Sequence, residues 1–156
     1  MDTFQHLQAL LEQHHLNFIV KEHAPTPTSA DSARERQEPL KIGAKTLLLK
    51  QDSGFILAVI PADRQLDSQK LKVILNTRNL RFATKEELYE ITGLVQGAVP
   101  PFGSLFNIPL IVDHAIQEEE YIAFNAGLLE KSIKMRTKEY ILAAQPRFAS
   151  FSVSKL

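Results

Sequence analysis

The sequence predicts a single α+β domain, with a mixed, curled, barrel-like β-sheet and helices packed outside it. Apolar residues recur at helical spacing in some segments and alternate or run together in others. Some strands follow each other as hairpins and others are separated by helices, which indicates a mixed sheet. The 156 residues, 44% of them hydrophobic and 23% charged, fit one soluble domain spanning residues 1–156.

The first half of the chain begins with a helix and continues into a hairpin. An Asp–Thr pair can cap the first helix, and a Pro-rich turn leads to a second helix capped by Thr28 or Ser29. The tetrapeptide QDSG joins two apolar strands and is a hairpin signal. The predicted elements are a helix over 3–15, a strand over 17–23, the helix after Thr28 or Ser29, and strands over 44–50 and 55–61.

The second half alternates short helices and strands. Asp67 can cap a helix that ends near Asn76, whereas Thr84 and Glu87 form a capping box for a helix that Gly93 ends. The remaining predicted elements are strands over 80–83, 109–113, 121–126 and 132–137, a helix over 138–144 and a final strand over 148–153. The acidic run at 117–120 is interpreted as a solvated turn or helix end.

Composition excludes several classes of function. Lys+Arg and Asp+Glu are equal at 18 each, so no global field attracts nucleic acid. The chain has no cysteine, which excludes disulfides, thiolate catalysis and Cys-ligated zinc. The acidic, amphipathic N-terminus differs from a signal peptide, and no apolar run is long enough to span a membrane. We therefore expect a cytoplasmic protein with neither a membrane nor a DNA partner.

Sequence motifs for nucleotides, cofactors and metals are also missing. The chain has no Gly-x-Ser-x-Gly, Walker, dinucleotide or His-Glu-x-x-His motif, and we expect no cofactor. The adjacent His14 and His15 point in different directions and cannot clamp one ion. We predict no metal site, and interpret most of the histidines as surface residues.

Lys45 stands where a loop becomes an apolar strand, and it has two interpretations. Its ammonium can extend to solvent from the end of the strand, which spacing alone favours, or it can point into a pocket. Lys50, at the hairpin end of the same strand, is most simply a solvated terminus.

The stretch GAVPPFGS, residues 97–104, is a stiff loop that also has two interpretations. Its prolines and glycines can simply shape a long connection. Alternatively, the backbone N–H groups of Gly97, Ala98 and Val99 can cradle a carbonyl or oxyanion without reorganising. The residues alone leave both interpretations open.

Taken together, these stretches resemble the YbaK and prolyl-tRNA-synthetase-associated editing domain family. The resemblance rests on HAPTPTSADSA, GAKTLLLK and VIPADRQLDSQKL, and above all on LRFATKEELYEITGLVQGAVPPFG, which carries a Gly-x-x-x-Pro loop. IPLIVD and the later FNAG and SIKM match the closing strands. The motifs follow in this order over more than a hundred residues.

The resemblance implies a free-standing deacylase that acts in trans on mischarged tRNA, with a small amino acid on tRNA-Pro or a related tRNA. Water would be the nucleophile, and the family's catalytic positions carry over to Lys45 and Gly97. The partners implied are the mischarged tRNA acceptor end and a synthetase. The substrate-binding residues implied are Thr28, Ser29, Ala98, Val99, Pro100, Pro101, Phe102, Asn125 and Gly127, and the candidate tRNA contacts are Arg34, Arg36 and Lys41.

Two alternatives remain open. A catalytically silent module could keep the pocket to recognise an aminoacyl end or a protein partner, and a hydrolase of small aminoacyl esters would suit the neutral charge. The chain also departs from family branches that clear alanine. These carry Asn-x-His-Pro where this sequence reads FNAGLLEKSIKM. The amino acid removed is therefore not specified by the resemblance.

Overall fold

The structure is a computed structural model that describes residues 1–25, 33–34 and 37–155. Within these ranges the helices are α1 (Thr3–Gln13), α2 (Ser68–Leu75), α3 (Lys85–Thr92) and α4 (Thr137–Ala144). The strands are β1 (Phe18–Glu22), β2 (Ala44–Gln51), β3 (Gly54–Pro61), β4 (Arg64–Leu66), β5 (Leu80–Phe82), β6 (Leu110–Asp113), β7 (Tyr121–Leu128), β8 (Lys131–Arg136), β9 (Arg147–Ala149) and β10 (Ser152–Ser154). Short 3-10 helices cover Leu40–Ile42, Gly103–Leu105 and His114–Glu118.

The described strands form sheets of five, three and two strands, in the orders β5-β2-β3-β6-β9, β1-β8-β7 and β10-β4. The five-stranded sheet is mixed, because β2 pairs antiparallel with β3 and β5 while β6 pairs parallel with β3 and β9. The predicted mixed α+β class is thus confirmed. Within the described residues the sheets are not hydrogen-bonded into one closed barrel.

The five-stranded sheet is buried on both faces, which explains the continuous apolar run of β3. One face packs against β7, β8, α1 and α4 around Val59, Phe124 and Tyr140. The opposite face packs against α2 around Leu49 and Leu71. The helices therefore lie outside the sheets, and both faces hold a hydrophobic core.

A single parallel bridge between Gly43 and Ala123 joins the start of β2 to β7 and so links the two larger sheets. Lys45 and Asn125 each lie two residues beyond a bridge partner, so their side chains leave the same face of neighbouring strands. Ala44 and Phe124 lie one residue beyond and face the core. This junction positions the site described below.

The predicted helix ends agree closely with the structure. Asp67 accepts a hydrogen bond from Lys70 N at the start of α2, and Thr84 and Glu87 form a reciprocal capping box at α3. Gly93 ends α3 with a φ of +74°. Helix α1 stops at Gln13, two residues before its predicted end, because His15 has a φ of +58°, outside the helical region.

The predicted final strand over 148–153 is wrong as a single element. It is divided into β9 and β10, which belong to different sheets. Phe151, between them, is fully buried; its N–H donates to Asp113 Oδ2 at 2.8 Å and its carbonyl accepts from Asp67 N at 2.8 Å. These two bonds replace sheet pairing and turn the chain.

No helix in the described part of the chain combines the length and apolarity needed to cross a membrane.

Candidate active site

The loop formed by residues 97–102 is anchored in the core through its last residues. Phe102 is fully buried and packs edge-on against Phe124 and Tyr140, with ring centroids 5.5 and 5.2 Å away. The Tyr140 hydroxyl donates to the carbonyl of Pro101 at 2.7 Å, and burial raises the pKa of this phenol, so it stays protonated. The loop is therefore a rigid part of the fold.

Strand β7 holds the start of the same loop. Asn125 Nδ2 donates to the carbonyl of Gly97 at 2.8 Å, and Gly127 N donates to the carbonyl of Ala98 at 2.8 Å. The β7–β8 register shifts between Asn125 and Leu128, which frees the Gly127 amide for this contact. Gly127 has a φ of +93°, and a Cβ there would lie 3.0 Å from Thr3 Cβ.

The hydrogen bonds that anchor the loop are accepted by its carbonyl groups, and two of its N–H groups take no part in them. Gly97 N and Val99 N have no hydrogen-bond partner among the described residues. Ala98 N donates to the carbonyl of Val95 at 3.1 Å, so its predicted role as a free donor is wrong. Gly97 is exposed and has a φ of +89°, a conformation that favours glycine. Two fixed N–H groups are chemically suited to a carbonyl or oxyanion.

The side chains of the loop mostly face inward. Ala98, Val99, Pro100 and Pro101 are buried, so a substrate would meet the backbone of this segment. Phe102 is a core residue that anchors the loop, so its ring is not exposed to a ligand, and its assignment to substrate binding stays a prediction. Hydrophobic burial of the ring decides its position.

Lys45 lies at the junction of β2 and β7, opposite Ile60 of β3. It has no hydrogen bond or ion pair with another described residue. Although Lys45 is exposed by surface area, partial burial of its side chain lowers the pKa of the ammonium, and the nearby Lys155 charge lowers it further. Lys155 Nζ itself donates to the carbonyl of Ala62 at 3.1 Å. An ammonium without a carboxylate partner is suited to an anionic ligand.

Lys50 differs from Lys45 in its surroundings. Its ammonium lies 4.9 Å from the centroid of the Phe55 ring, and its backbone pairs with Arg81 of β5. It is half-buried at the hairpin, at the opposite end of β2 from the junction. This cation–π contact gives Lys50 a structural role.

The other predicted residues are placed as follows. Thr28, Ser29 and Arg36 lie outside the described residues. Arg34 lines a cavity of about 420 Å³ together with Gln37 and Glu38. Lys41 is exposed and forms an ion pair with Glu119 at 3.5 Å. The assignment of Arg34, Arg36 and Lys41 to tRNA binding stays a prediction, as do the roles of Lys45, Gly97, Asn125 and Gly127.

Two residues at the site were not identified from sequence. His23 Nε2 lies 2.6 Å from Ser132 Oγ, and Ser132 Oγ donates to Asn125 Oδ1 at 3.0 Å. Ser132 is buried and faces Asn125 across the β7–β8 pair. The strand partner of Asn125 cannot be known before the β7–β8 register is known. His23 opens the family-like stretch HAPTPTSADSA, and that was the available signal.

Among the described residues no group of three or more His, Cys, Asp or Glu is placed to hold a metal ion. His114, which follows the buried Asp113, is exposed and stacks on Phe148 with a centroid distance of 5.8 Å. This agrees with its position at the end of a strand.

Comparisons with known proteins address the family directly. Residues 23–142 match the family model described as "Aminoacyl-tRNA editing domain". The chain is 34% identical over 154 residues to a multifunctional Ser/Thr-tRNA deacylase, ProXp-y, of Escherichia coli K12, covering 96% of this chain and 92% of that protein. It is also 34% identical over 90 residues to a proline–tRNA ligase of Fervidobacterium nodosum, covering 58% of this chain and 16% of the ligase.

Solved structures share this fold. A crystal structure described as a candidate trans-editing enzyme for prolyl tRNA synthetase superposes with a TM-score of 0.84 at 23% identity and covers 99% of both chains. The predicted resemblance is thereby confirmed, together with the class of enzyme it implied, the aminoacyl-tRNA deacylases. The chain belongs to the aminoacyl-tRNA editing domain family.

Proposed function

We propose that the protein acts in trans and hydrolyses the ester of tRNA mischarged with a small amino acid, on tRNA-Pro or a related tRNA. The observation that carries the proposal is the proline loop, residues 97–102, which is fixed by its carbonyl groups. Its Gly97 and Val99 N–H groups have no partner among the described residues. Such a loop binds a carbonyl oxygen without having to reorganise.

Water is the nucleophile in this reaction. Its oxygen attacks the ester carbonyl carbon, and the Gly97 and Val99 N–H groups stabilise the developing oxyanion. The bond from that carbon to the ribose oxygen then breaks, and the ribose oxygen takes the proton released by water. The products are the free amino acid and uncharged tRNA. An aminoacyl ester is already reactive, so positioning supplies much of the acceleration.

Lys45 holds the acceptor end by its charge. It leaves the same face as Asn125 at the β2–β7 junction, and Asn125 contacts the loop directly. A phosphate or the ester region placed there would meet an ammonium that lacks a carboxylate partner among the described residues. Lysine acts here as a point charge and needs no bidentate geometry.

A small amino acid is favoured by the rigid, inward-packed loop. Buried side chains at residues 98–102 leave little freedom for the loop to move aside. The E. coli relative is named as a Ser/Thr-tRNA deacylase, which agrees with a small side chain. Steric exclusion can reject a large side chain, whereas one methylene separates substrates by only about 1–3 kcal/mol. We expect alanyl, cysteinyl, seryl and threonyl esters to react faster than phenylalanyl esters.

The outer face of the three-stranded sheet supplies cations for the tRNA. Lys21, Ser132 and Lys134 alternate with core residues on β1 and β8, on the face that also carries Asn125. Lys21 and Lys134 pair with Glu38 at 3.2 and 3.6 Å, so part of this charge is already neutralised. Few phosphates would be contacted, and log affinity should fall with log salt with a slope of roughly −2 to −4.

A panel of mischarged tRNAs tests the proposal, with release of the labelled amino acid as the readout. Rapid release from small aminoacyl-tRNAs and slow release from phenylalanyl-tRNA supports it. Binding of tRNA without hydrolysis would instead identify a silent module. Equal rates on tRNA and on a minimal aminoacyl ester would identify a small-ester hydrolase and contradict the proposal.

A further inference from the structure

His23 begins a chain of hydrogen bonds that ends on the proline loop. Its Nδ1 lies 2.8 Å from the carbonyl oxygen of Ala24, and its Nε2 lies 2.6 Å from Ser132 Oγ. Ser132 Oγ lies 3.0 Å from Asn125 Oδ1, and Asn125 Nδ2 lies 2.8 Å from the carbonyl oxygen of Gly97. The loop is thus connected to a titratable ring through two uncharged side chains.

The direction of each hydrogen bond is fixed by the acceptor at the far end. The Gly97 carbonyl can only accept, so Asn125 must present Nδ2 to it and Oδ1 to Ser132. Asn125 Oδ1 can only accept, so Ser132 must donate its single hydroxyl hydrogen to it. The Ser132 oxygen is then an acceptor, and His23 Nε2 must carry a hydrogen to bond with it.

The other ring nitrogen must also carry a hydrogen. It faces the Ala24 carbonyl, which can only accept. All four hydrogen bonds therefore exist together only when His23 is protonated on both nitrogens. In the neutral ring one nitrogen loses its hydrogen, so either the Ala24 bond or the Ser132 bond is lost, or Ser132 turns its hydrogen away from Asn125.

Charged side chains on the strands next to His23 form ion pairs with one another or with Glu38. On β1, Lys21 bonds to Glu38 at 3.2 Å, and Glu22 lies 3.8 Å from Lys131 of β8. Lys134 of β8 also pairs with Glu38, and the His23 N–H donates to the backbone carbonyl of Glu130 at 2.9 Å. Lys45 on β2 lies across the junction. These groups include both positive and negative charges.

We propose that His23 is a positioning residue for deacylation, acting through Ser132 and Asn125 on the peptide between Gly97 and Ala98. This peptide lies between the two N–H groups, of Gly97 and Val99, that have no partner among the described residues. The loop is held fully when His23 is protonated and less well when it is neutral. The catalytic part of this inference rests on the proposed function, whereas the hydrogen-bond chain does not.

Kinetics test the catalytic part. Single-turnover deacylation of the fastest substrate of the panel is measured from pH 5.5 to 8, across the range in which histidine titrates. His23→Ala should react about tenfold more slowly than wild type at pH 5.5, because the rate falls steeply when a catalytic group is misplaced. The deficit should be smaller at pH 8. His23→Gln, which keeps a donor near Nε2 and does not titrate, should stay within about threefold of wild type at pH 5.5, and its rate relative to His23→Ala should be independent of pH.

His6→Ala is the matched control, because His6 is an exposed histidine on α1 that takes no part in these hydrogen bonds. It should follow wild type at every pH. A deficit of His23→Ala that is constant with pH, or a rate within twofold of wild type at pH 5.5, would overturn the positioning role. Thermal unfolding of each variant at each pH identifies losses that arise from misfolding.

Nitrogen-15 NMR on the substrate-free protein tests the hydrogen-bond chain without activity. The Gly97 and Ala98 amide signals should shift with the same pH midpoint as the His23 ring, and on the acid side of that midpoint both ring nitrogens should carry protons. Ser132→Ala should remove that shared midpoint. Loop amides that do not follow the ring would refute the inference. If the NMR result holds and no mischarged tRNA reacts, the proposed function fails instead.

Discussion

Each end of β2 is associated with a loop that hydrogen bonds fix in place, the hairpin at one end and, through Asn125 of β7, the proline loop at the other, but the two loops are fixed by opposite kinds of group. At the hairpin, the Asp52 carboxylate accepts from Arg78 N at 2.8 Å and from Asn79 N at 3.2 Å. Near Lys45, the proline loop is fixed by its carbonyl groups, which accept from Asn125, Gly127 and Tyr140.

Because of this difference, we expect a ligand to bind at the proline loop and not at the hairpin. At the hairpin, an acceptor-only carboxylate uses the N–H groups of the neighbouring connection, so the two segments satisfy each other. At the proline loop, the acceptors are used and the N–H groups of Gly97 and Val99 remain without a partner among the described residues. A loop held by its carbonyls is rigid and still able to donate, which catalysis of acyl transfer requires.

The largest expected effect comes from a matched pair of glycines. Gly97 has a φ of +89° and Gly54, at the hairpin, has a φ of +138°, so valine is strained at both. A Cβ added at Gly97 would lie 3.5 Å from Leu129 Cδ2, an ordinary contact, and a Cβ added at Gly54 would have no other atom within 4 Å. Neither substitution therefore causes a clash at Cβ. Gly97→Val should lower single-turnover deacylation roughly a thousandfold by turning the N–H groups away from the ester.

Gly54→Val is the control for backbone strain in general. It should lower the melting temperature and leave the rate per folded molecule within a few fold of wild type. Equal losses of rate in both variants would show that the proline loop has no special role.

The second expected effect compares the two lysines of β2. Lys45→Ala should lower deacylation about a hundredfold, the scale for losing one electrostatic stabiliser, with little change in melting temperature. Lys50→Ala should lose its contact with Phe55 and keep the rate within a few fold. If folded Lys45→Ala reacts at the wild-type rate, Lys45 is simply a lysine at the end of a strand that extends to solvent.

A third and smaller effect concerns pH. Burial and the Lys155 charge lower the pKa of Lys45, so the ammonium is lost at a lower pH than for an ordinary lysine. The contribution of Lys45 to the rate is present below this lowered pKa and disappears as pH rises through it. Lys155→Gln should therefore shift the alkaline limb of the rate, corrected for spontaneous ester hydrolysis, to higher pH. An unchanged limb would contradict this coupling, and Lys45→Ala should have no such limb.

Local sequence signals predicted most of the fold. The caps at Asp67 and Thr84, the stop at Gly93 and the hairpin at 51–54 each depend on neighbours in the chain, and the structure confirms them. The final strand failed because Phe151 is held by Asp113 and Asp67, residues distant in the sequence. Such a turn cannot be predicted from the alternation of apolar residues alone.

In the candidate site, too, local features could be predicted from the sequence and contacts between distant residues could not. The loop was predictable because its glycines and prolines specify backbone conformation locally. Its anchors were not, because the Asn125, Gly127 and Tyr140 contacts require the fold, and so does the approach of His23 to Ser132. Ala98 illustrates the limit: sequence shows that it has an N–H group, but only the fold shows that Val95 already uses it.

The smallest expected effect lies at the hairpin end of β2 and concerns stability alone. Hydrogen bonds from Arg78 N and the Asn79 side chain lower the pKa of Asp52 below its ordinary value of 3.8. The folded state therefore binds fewer protons than the unfolded state near this pH. The carboxylate stabilises the fold above about pH 3.8, and that contribution disappears as pH falls through the lowered pKa. Asp52→Asn should lower the melting temperature by a few degrees at pH 7 and by progressively less from pH 4 to pH 2. Deacylation at pH 7 should be unchanged, since the proline loop is fixed by other residues. A loss of rate in Asp52→Asn without a loss of stability would show that the two ends of β2 are coupled.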